Sequence, residues 1–434
     1  MEENIVVSTR ELHRAKVLQE IMAGRMTLMK AAEVLGVSYR QAKRLKARYV
    51  HGEMAGLVHG NRGRKPSNTL SEEMREAVIK LHELRYGGMN DTHFTELLAE
   101  REQLQVGRET VRKLLRAAGK PPKRRRRPPK HRSRRQRKEQ IGMLVQWDGS
   151  PHHWFGPDHP PCCLMAAVDD ATKNLLAALF VPVECSEAYL RLLAMILRRH
   201  GIPMAIYHDR HTCLVRSDDY WSQEEQLQGY QFPTHVGRVL AELGIESISA
   251  TSPQAKGRIE RSFGTLQDRL LAELHLNGIT GIATANPWLE TTFIGRYNTR
   301  FADQAQIEGT TFVPISPADI HHHVAFAYEA TVGNDNAVRL GGIIIDIPPG
   351  PNRRSYAKAI VLVRQHLDGS WTISLGKSII ATHLPTALRE PIRTWRAKHK
   401  RTHSAANKYL QVYISSKPAL PSRGHFPLAV KGTY

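Results

Sequence analysis

The sequence predicts a multidomain chain. All-α helix-turn-helix units come first, then a central α/β core with helices on a mixed sheet, then a small β-barrel. Apolar residues recur at helical spacing from about residue 10 to 119. Strand-type and helical runs alternate from 141 to about 300, and three strand-type runs crowd residues 331–386. Between the first two blocks lies KPPKRRRRPPKHRSRRQRK, residues 120–138, with twelve Lys or Arg and no acid.

A length of 434 residues asks for two to four domains. The pattern divides it into a helix-turn-helix domain at 1–56, a linker at 57–70, a second helix-turn-helix domain at 71–119, a basic linker at 120–138, a catalytic-type core at 139–305, a small barrel at 325–390 and a basic tail at 391–434. The net charge of +21 predicts an extended polyanionic partner, double-stranded DNA being the natural one. Four cysteines (Cys162, Cys163, Cys185, Cys213) form no CxxC pair and suggest no disulfide framework, as in a reducing, cytoplasmic setting. The polar start and the lack of any apolar run near 18 residues predict no membrane contact.

In MTLMKAAEVLGVSYRQAKRLKARY, Ala32 is small where two helices cross and Gly36 supplies the tight turn. Leu35, Val37, Ala42 and Leu45 pack the second helix on the first, which leaves Tyr39, Arg40, Lys43, Arg44 and Lys46 for a major groove. Arg62 and Arg64, in RGRKP, read either as a short minor-groove arm or as a flexible linker. SEEMREAVIKLHELR and VGRETVRKLLRAAG supply the second helical unit. In the 120–138 run, prolines break any helix, and Arg124, Arg125, Arg126 and Arg127 read as phosphate contacts.

The core reads as strands at 141–148, 162–169 and 174–183, a helix at 187–200, a strand at 204–208 and an irregular polar insertion at 211–232. The helix HVGRVLAELG, the strand IESISA and helices at 254–275 and 287–300 follow. In the β-rich region, Asp368-Gly369 marks a hairpin turn, and Trp371 and Tyr356 read as barrel core.

Three acids sit where a metal-dependent nuclease needs ligands. Alternation along LVQWDG puts Leu144, Gln146 and Asp148 on one face, with Asp148 at the strand end. Asp209 ends the strand after the first long core helix, and strand carboxyl ends are where ligands gather in α/β sheets. Glu260 lies in the opening of a helix, one turn after Gly257. Three carboxylates within about 4 Å repel by roughly 4 kcal/mol per pair at an effective dielectric near 20. Only cations let such a cluster persist, and oxygen ligands select Mg²⁺ or Mn²⁺. Two ions could activate the attacking oxygen and stabilise the leaving one.

The segment SPQAKGRIERSFGTLQDRL, with two upstream strand-borne aspartates, resembles the catalytic core of DDE transposases and retroviral integrases. Pro253, Gln254, Gly257 and Glu260 match that family's P-Q-x-x-G-x-x-E signature. WDGSPHHWFG, VDDATK, RGRKPSN and the flanking domains are similar to bacterial insertion-sequence transposases, the ISNCY-like group in particular. The resemblance implies an RNase H-like sheet of five strands in the order 32145, with Asp148, Asp209 and Glu260 as the catalytic acids and metal ligands. It further implies 3′-end nicking at terminal inverted repeats, strand transfer to target DNA, no nucleotide cofactor and a homo-oligomer on DNA. Two features depart from the pattern: 50 residues separate Asp209 from Glu260, a long spacing, and no HHCC zinc module precedes the core.

Several neighbours carry weaker signals. Asp169 and Asp170 read as caps of a hairpin turn, not as the second acid. Lys256, Arg258 and Arg261 read as phosphate contacts or as a solvated helix face, and His321–His323 as an exposed helix end. Two rivals remain. One is a DNA-binding regulator without catalysis. The other is an RNase H-type nuclease, which would need a fourth acid, with Glu187 its only candidate.

Overall fold

Three helices open the chain in the computed structural model: α1 (Thr9–Met22), α2 (Leu28–Leu35) and α3 (Tyr39–Leu57). The structure describes residues 7–59, 61–62, 69–123, 136–216, 221–250, 257–351, 354–386 and 412–414. Each opening helix begins on a hydroxyl cap, Ser8, Thr27 and Ser38, and Ser8 with Glu11 closes a capping box. Gly36 ends α2 with φ 62°, the left-handed turn that lets α3 fold back. Ala15, Leu18, Ile21, Ala31 and Leu45 form the shared core, and Ala32 and Ala42 are buried as the sequence predicts. A break at Gly52 and Glu53 kinks α3 near its end.

The chain divides into two compact units, Met1–Leu81 and His82–Tyr434, within α4 (Glu72–Leu84). The second unit continues with α5 (Asp91–Arg101) and α6 (Arg108–Ala117). Next come β1 (Val145–His152), β2 (Cys162–Asp169), β3 (Leu175–Val181), α7 (Ser186–Arg199) and β4 (Ala205–His208). Then follow α8 (Gln223–Gln228), α9 (His235–Glu242), β5 (Glu246–Ser249) and α10 (Gly257–Leu276). The five strands form one sheet in the order β3-β2-β1-β4-β5, the predicted 32145. β1–β3 are antiparallel, and β4 and β5 add in parallel.

β2 and β3 are buried along their whole length because helices cover both faces. On one face, Trp147, Met165 and Leu179 pack with Tyr189 and Leu193 of α7 and Val236 of α9. On the other, Leu164, Ala166 and Phe180 meet Ile259, Phe263 and Leu266 of α10. α11 (Ile282–Trp288) and α12 (Ile294–Phe301) complete that face, joined by a π-helical turn at Leu289–Phe293. The polar insertion read as irregular contains α8, opened by a Ser222–Glu225 capping box.

After α13 (Pro317–His323) come β6 (Ala325–Thr331), β7 (Ala337–Leu340), β8 (Ile343–Asp346), β9 (Ile360–His366), β10 (Trp371–Leu375), β11 (Ser378–His383) and β12 (Val412–Ile414). The expected closed barrel is not what the described residues form. They make two sheets, β11-β10-β9-β6 and β12-β8-β7. Two of the apolar runs fold into hairpins, at Gly341-Gly342 and at Gly376, where positive φ angles reverse the chain. Asp368-Gly369 does join β9 to β10, and Trp371 and Tyr356 are buried. No helix among the described residues is long and apolar enough to cross a membrane.

Candidate active site

β1 and β4 run parallel with Val145 opposite Ile206 and Gln146 opposite Tyr207. Continuing that register by two residues sets Asp148 level with Asp209; Asp148 lies midway along β1, which runs on to His152 and does not end at 148 as the sequence predicts, and Asp209 follows the last residue of β4. Both are half-buried. Asp209 is held from two sides. The buried His208 ring donates from Nδ1 to the Asp209 carbonyl at 2.5 Å, and its Nε2 meets Ser247 Oγ at 2.7 Å. The His211 backbone N–H donates to Asp209 Oδ1 at 3.1 Å.

Glu260 is exposed in the first turn of α10. That helix lies along the face of β1 that carries Asp148. Gln146 and Ser150, the alternate residues on either side of Asp148, both bond to it: the Ile259 N–H donates to Gln146 Oε1 at 3.3 Å, and Gln267 Nε2 to Ser150 Oγ at 3.2 Å. Gln267 is two helical turns beyond Glu260 and so on the same stripe. Among the described residues, no three His, Cys, Asp or Glu side chains are grouped closely enough to hold a metal ion. Asp148 and Asp209 thus sit level at two interior strands, and Glu260 stands on the adjoining helix. The donors are all carboxylate oxygens, which suit a hard divalent cation.

A further acid lies beside β1 at Gly149. Glu184, in the loop before α7, accepts a hydrogen bond from the Tyr189 hydroxyl, and His211 Nε2 lies 3.9 Å from its carboxylate. A Cβ on Gly149 would fall 2.4 Å from Glu184 Oε2, so the missing side chain next to Asp148 makes room for that carboxylate. Burial, then the Glu184 bond and the charges of Glu184, Asp209 and Asp148, push the Tyr189 phenol far above its ordinary pKa. Burial, with the charges of Glu184 and Asp148, pushes the Cys163 thiol up to about 12. Glu187, the predicted fourth-acid candidate, instead pairs with Arg191 one turn along α7, at 2.6 Å. Glu184 carried no pattern in the sequence beyond its place just before a helix.

The basic residues divide. Arg40, Lys43 and Arg44 are exposed on α3, as predicted. Arg62 pairs with Glu11 at 2.7 Å. Arg258 is corrected: rather than presenting its guanidinium to solvent, it turns it inward onto Asp170. Arg261 is exposed, its Nε on the Gly257 carbonyl at 2.7 Å. Arg64, Arg124, Arg125, Arg126, Arg127 and Lys256, with Pro253 and Gln254, lie outside the described residues. Asp169 caps its turn as predicted, accepting from Thr172 N and Oγ1 at 2.8 Å.

This sheet order, with helices on both faces, Asp148 on β1, Asp209 just after β4 and Glu260 on the adjoining helix, is the integrase-like core that the sequence resemblance implies. Comparison with known proteins fixes the family. A winged helix-turn-helix model matches residues 14–76. The chain is 30% identical over 408 residues to the transposase for insertion sequence IS1202 of Streptococcus pneumoniae, covering 86% of each chain. It is 40% identical over 298 residues, 69% of its own length, to y4bF of Sinorhizobium fredii, a transposase by name, and spans 64% of that relative's length. The chain belongs to the insertion-sequence transposase family. Among solved structures it is similar to the simian T-cell lymphotropic virus intasome in complex with PP2A regulatory subunit B56 gamma, at 17% identity and a TM-score of 0.29 over 70% of this chain and 94% of that one. It is also similar to the HTLV-2 integrase catalytic core domain in complex with magnesium, at 16% identity and a TM-score of 0.24 over 35% of this chain and 88% of that one.

Proposed function

We propose that the chain nicks DNA at the ends of an insertion sequence and transfers the freed 3′-hydroxyls to target DNA, with Asp148, Asp209 and Glu260 as its catalytic acids. The observation that supports this most is the parallel register of β1 and β4, which extended by two residues puts Asp148 level with Asp209, beside a helix that carries Glu260. The three carboxylates would hold Mg²⁺ or Mn²⁺, two ions in the full site, and the metal would supply charge stabilisation to the attacking and leaving oxygens. Asp148 and Asp209 form the fixed part of the site, and α10 delivers Glu260. His208 and the His211 N–H orient Asp209.

The α3 face of Arg40, Lys43 and Arg44 would read the terminal repeat in the major groove. Arg62 and Arg64 would serve the minor groove, and Arg124, Arg125, Arg126, Arg127, Lys256 and Arg261 the phosphates. Two DNA ends must be paired, so a homo-oligomer on DNA is expected, with no nucleotide cofactor. The small C-terminal β domain would add nonspecific DNA contact.

The test uses a labelled duplex that carries one transposon end, with Mg²⁺. The full chain should nick at the end and join it to a target plasmid. Asp148→Asn and Asp209→Asn should cut both products to background while duplex binding persists. Full strand transfer by Asp209→Asn overturns the assignment, and binding without nicking by the unaltered chain favours a regulator.

A further inference from the structure

Asp170 is among the most buried charges in the core, 1% exposed, and no step assigned above uses it. Its Oδ1 accepts from Gln146 Nε2 at 2.6 Å and from the Arg258 guanidinium. Its Oδ2 accepts from the Lys138 backbone N–H at 2.9 Å, and its own N–H donates to the Leu144 carbonyl at 2.9 Å. Gln146 closes the bridge by accepting from the Ile259 N–H at 3.3 Å, one of the first-turn donors that α10 cannot satisfy internally. One buried carboxylate therefore ties together β1, the turn after β2 and the opening of α10.

The positions are telling. Gln146 lies two residues before Asp148 on β1, and Arg258 two residues before Glu260 on α10. A buried ion pair adds little net stability over an apolar packing of the same shape, because both charges lose water. What it does fix is geometry, since the guanidinium accepts few orientations on a carboxylate already held by other donors.

We infer that Asp170 is a positioning residue for the acid triad: through Gln146 and Arg258 it sets the reach of Glu260 toward Asp148. The inference rests on the catalytic reading proposed above. Loss of the Asp170 charge frees the first turn of α10 without touching Asp148 or Asp209.

The test compares the full chain with Asp170→Asn, Arg258→Gln, the double variant and Asp148→Asn. Asp170→Asn should lower Mg²⁺-dependent nicking roughly tenfold to a hundredfold and raise the half-saturating Mg²⁺ concentration, in the range of other changes just outside a metal's ligands. Duplex affinity should hold. Amide exchange at residues 257–263 should accelerate while that of α7 does not. Arg258→Gln should reproduce the loss, and the double variant should be no worse than the poorer single, because the two act as one unit. Unaltered nicking and Mg²⁺ dependence in Asp170→Asn overturn the inference, and so does a loss that leaves α10 exchange unmoved. If Asp170→Asn fails to fold, Arg258→Gln carries the same readouts, its side chain being 13% exposed. Nicking by Asp148→Asn instead overturns the catalytic reading, whatever Asp170→Asn does.

Discussion

Glu184 and Glu187 stand three residues apart and do different work. Glu187 falls in the first turn of α7 and pairs with Arg191, a solvent-side contact that helical spacing alone predicts. Glu184 lies outside any periodic element, and its approach to Gly149 depends on how the β3–α7 loop closes. Periodicity therefore marks strand-borne acids such as Asp148 and Asp209 and misses a loop-borne one. Arg258 misleads for a related reason: a positive charge beside a candidate catalytic acid reads as a DNA contact until the buried Asp170 is seen to claim it. His366 shows how burial sets a residue's charge. It is 2% exposed, with Nδ1 donating to the His321 carbonyl at 2.8 Å and Nε2 meeting Thr372 Oγ1 at 2.9 Å. Burial, aided by the stacked His321 ring, lowers its pKa to about 4. An unfolded histidine titrates near pH 6.5, so between those values the unfolded chain takes up a proton that the folded chain refuses. Stability is then flat above about pH 6.5 and falls as pH drops toward 4. His366→Gln should show a shallower fall in Tm from pH 7 to pH 4.5 than the unaltered chain. An equal fall would assign the proton uptake to other groups.

At the scale of elements, boundaries follow local signals closely where caps and glycines mark them. Thr27, Gly36 and Ser38 fix the turn between α2 and α3, and Asp169 with Thr172 fixes the β2–β3 turn. Among the described residues two sheets stand where one barrel was expected; a continuous apolar run looks like one long strand, whereas Gly341-Gly342 and Gly376 fold two of those runs back on themselves. The docking of α5 was not legible at all, because it rests on charges far apart in sequence. Arg269 and Arg300 share Glu96, Arg296 and Arg300 share Glu100, and His93 meets Glu273 at 3.1 Å. These side chains line a cavity of about 450 Å³ between α5, α10 and α12. Glu96→Ala would leave Arg269, only 11% exposed, without its carboxylate. Breaking such a pair from one side costs about 3–5 kcal/mol when buried, and solvent at Arg300 should bring it to the low end. Hydrogen exchange should speed up across 91–101 far more than in the sheet, and equal protection in Glu96→Ala and the unaltered chain would show that apolar contacts alone hold α5.

For the whole molecule, charge is the property that sequence states most directly and that pairing inside the fold qualifies. Of the 62 Lys and Arg, several are matched locally by the 41 acids: Arg258, Arg269, Arg296 and Arg300 all face carboxylates. Long-range attraction to DNA must then come chiefly from clusters without nearby acids. The 120–138 run is the densest cluster in the sequence, with twelve Lys or Arg and no Asp or Glu of its own, although Lys120, Lys123 and Arg137 meet Glu83, Asp268 and Asp303 from elsewhere in the chain. Each phosphate it neutralises releases counterion, so on duplex DNA the slope of log affinity against log salt changes by about 0.9 for every phosphate that is no longer neutralised. Replacing Arg124, Arg125, Arg126 and Arg127 by Gln should therefore flatten that slope by up to about 3.6 if all four meet phosphate. It should weaken binding to end-containing and unrelated duplexes alike, since phosphates carry no sequence. Changing Arg40, Lys43 and Arg44 on α3 should act differently, lowering the preference for the terminal repeat over unrelated DNA. Fluorescence anisotropy at several salt concentrations, on both duplexes, separates the two effects. A slope unchanged by the four Gln substitutions would remove the 120–138 run from the DNA-binding surface.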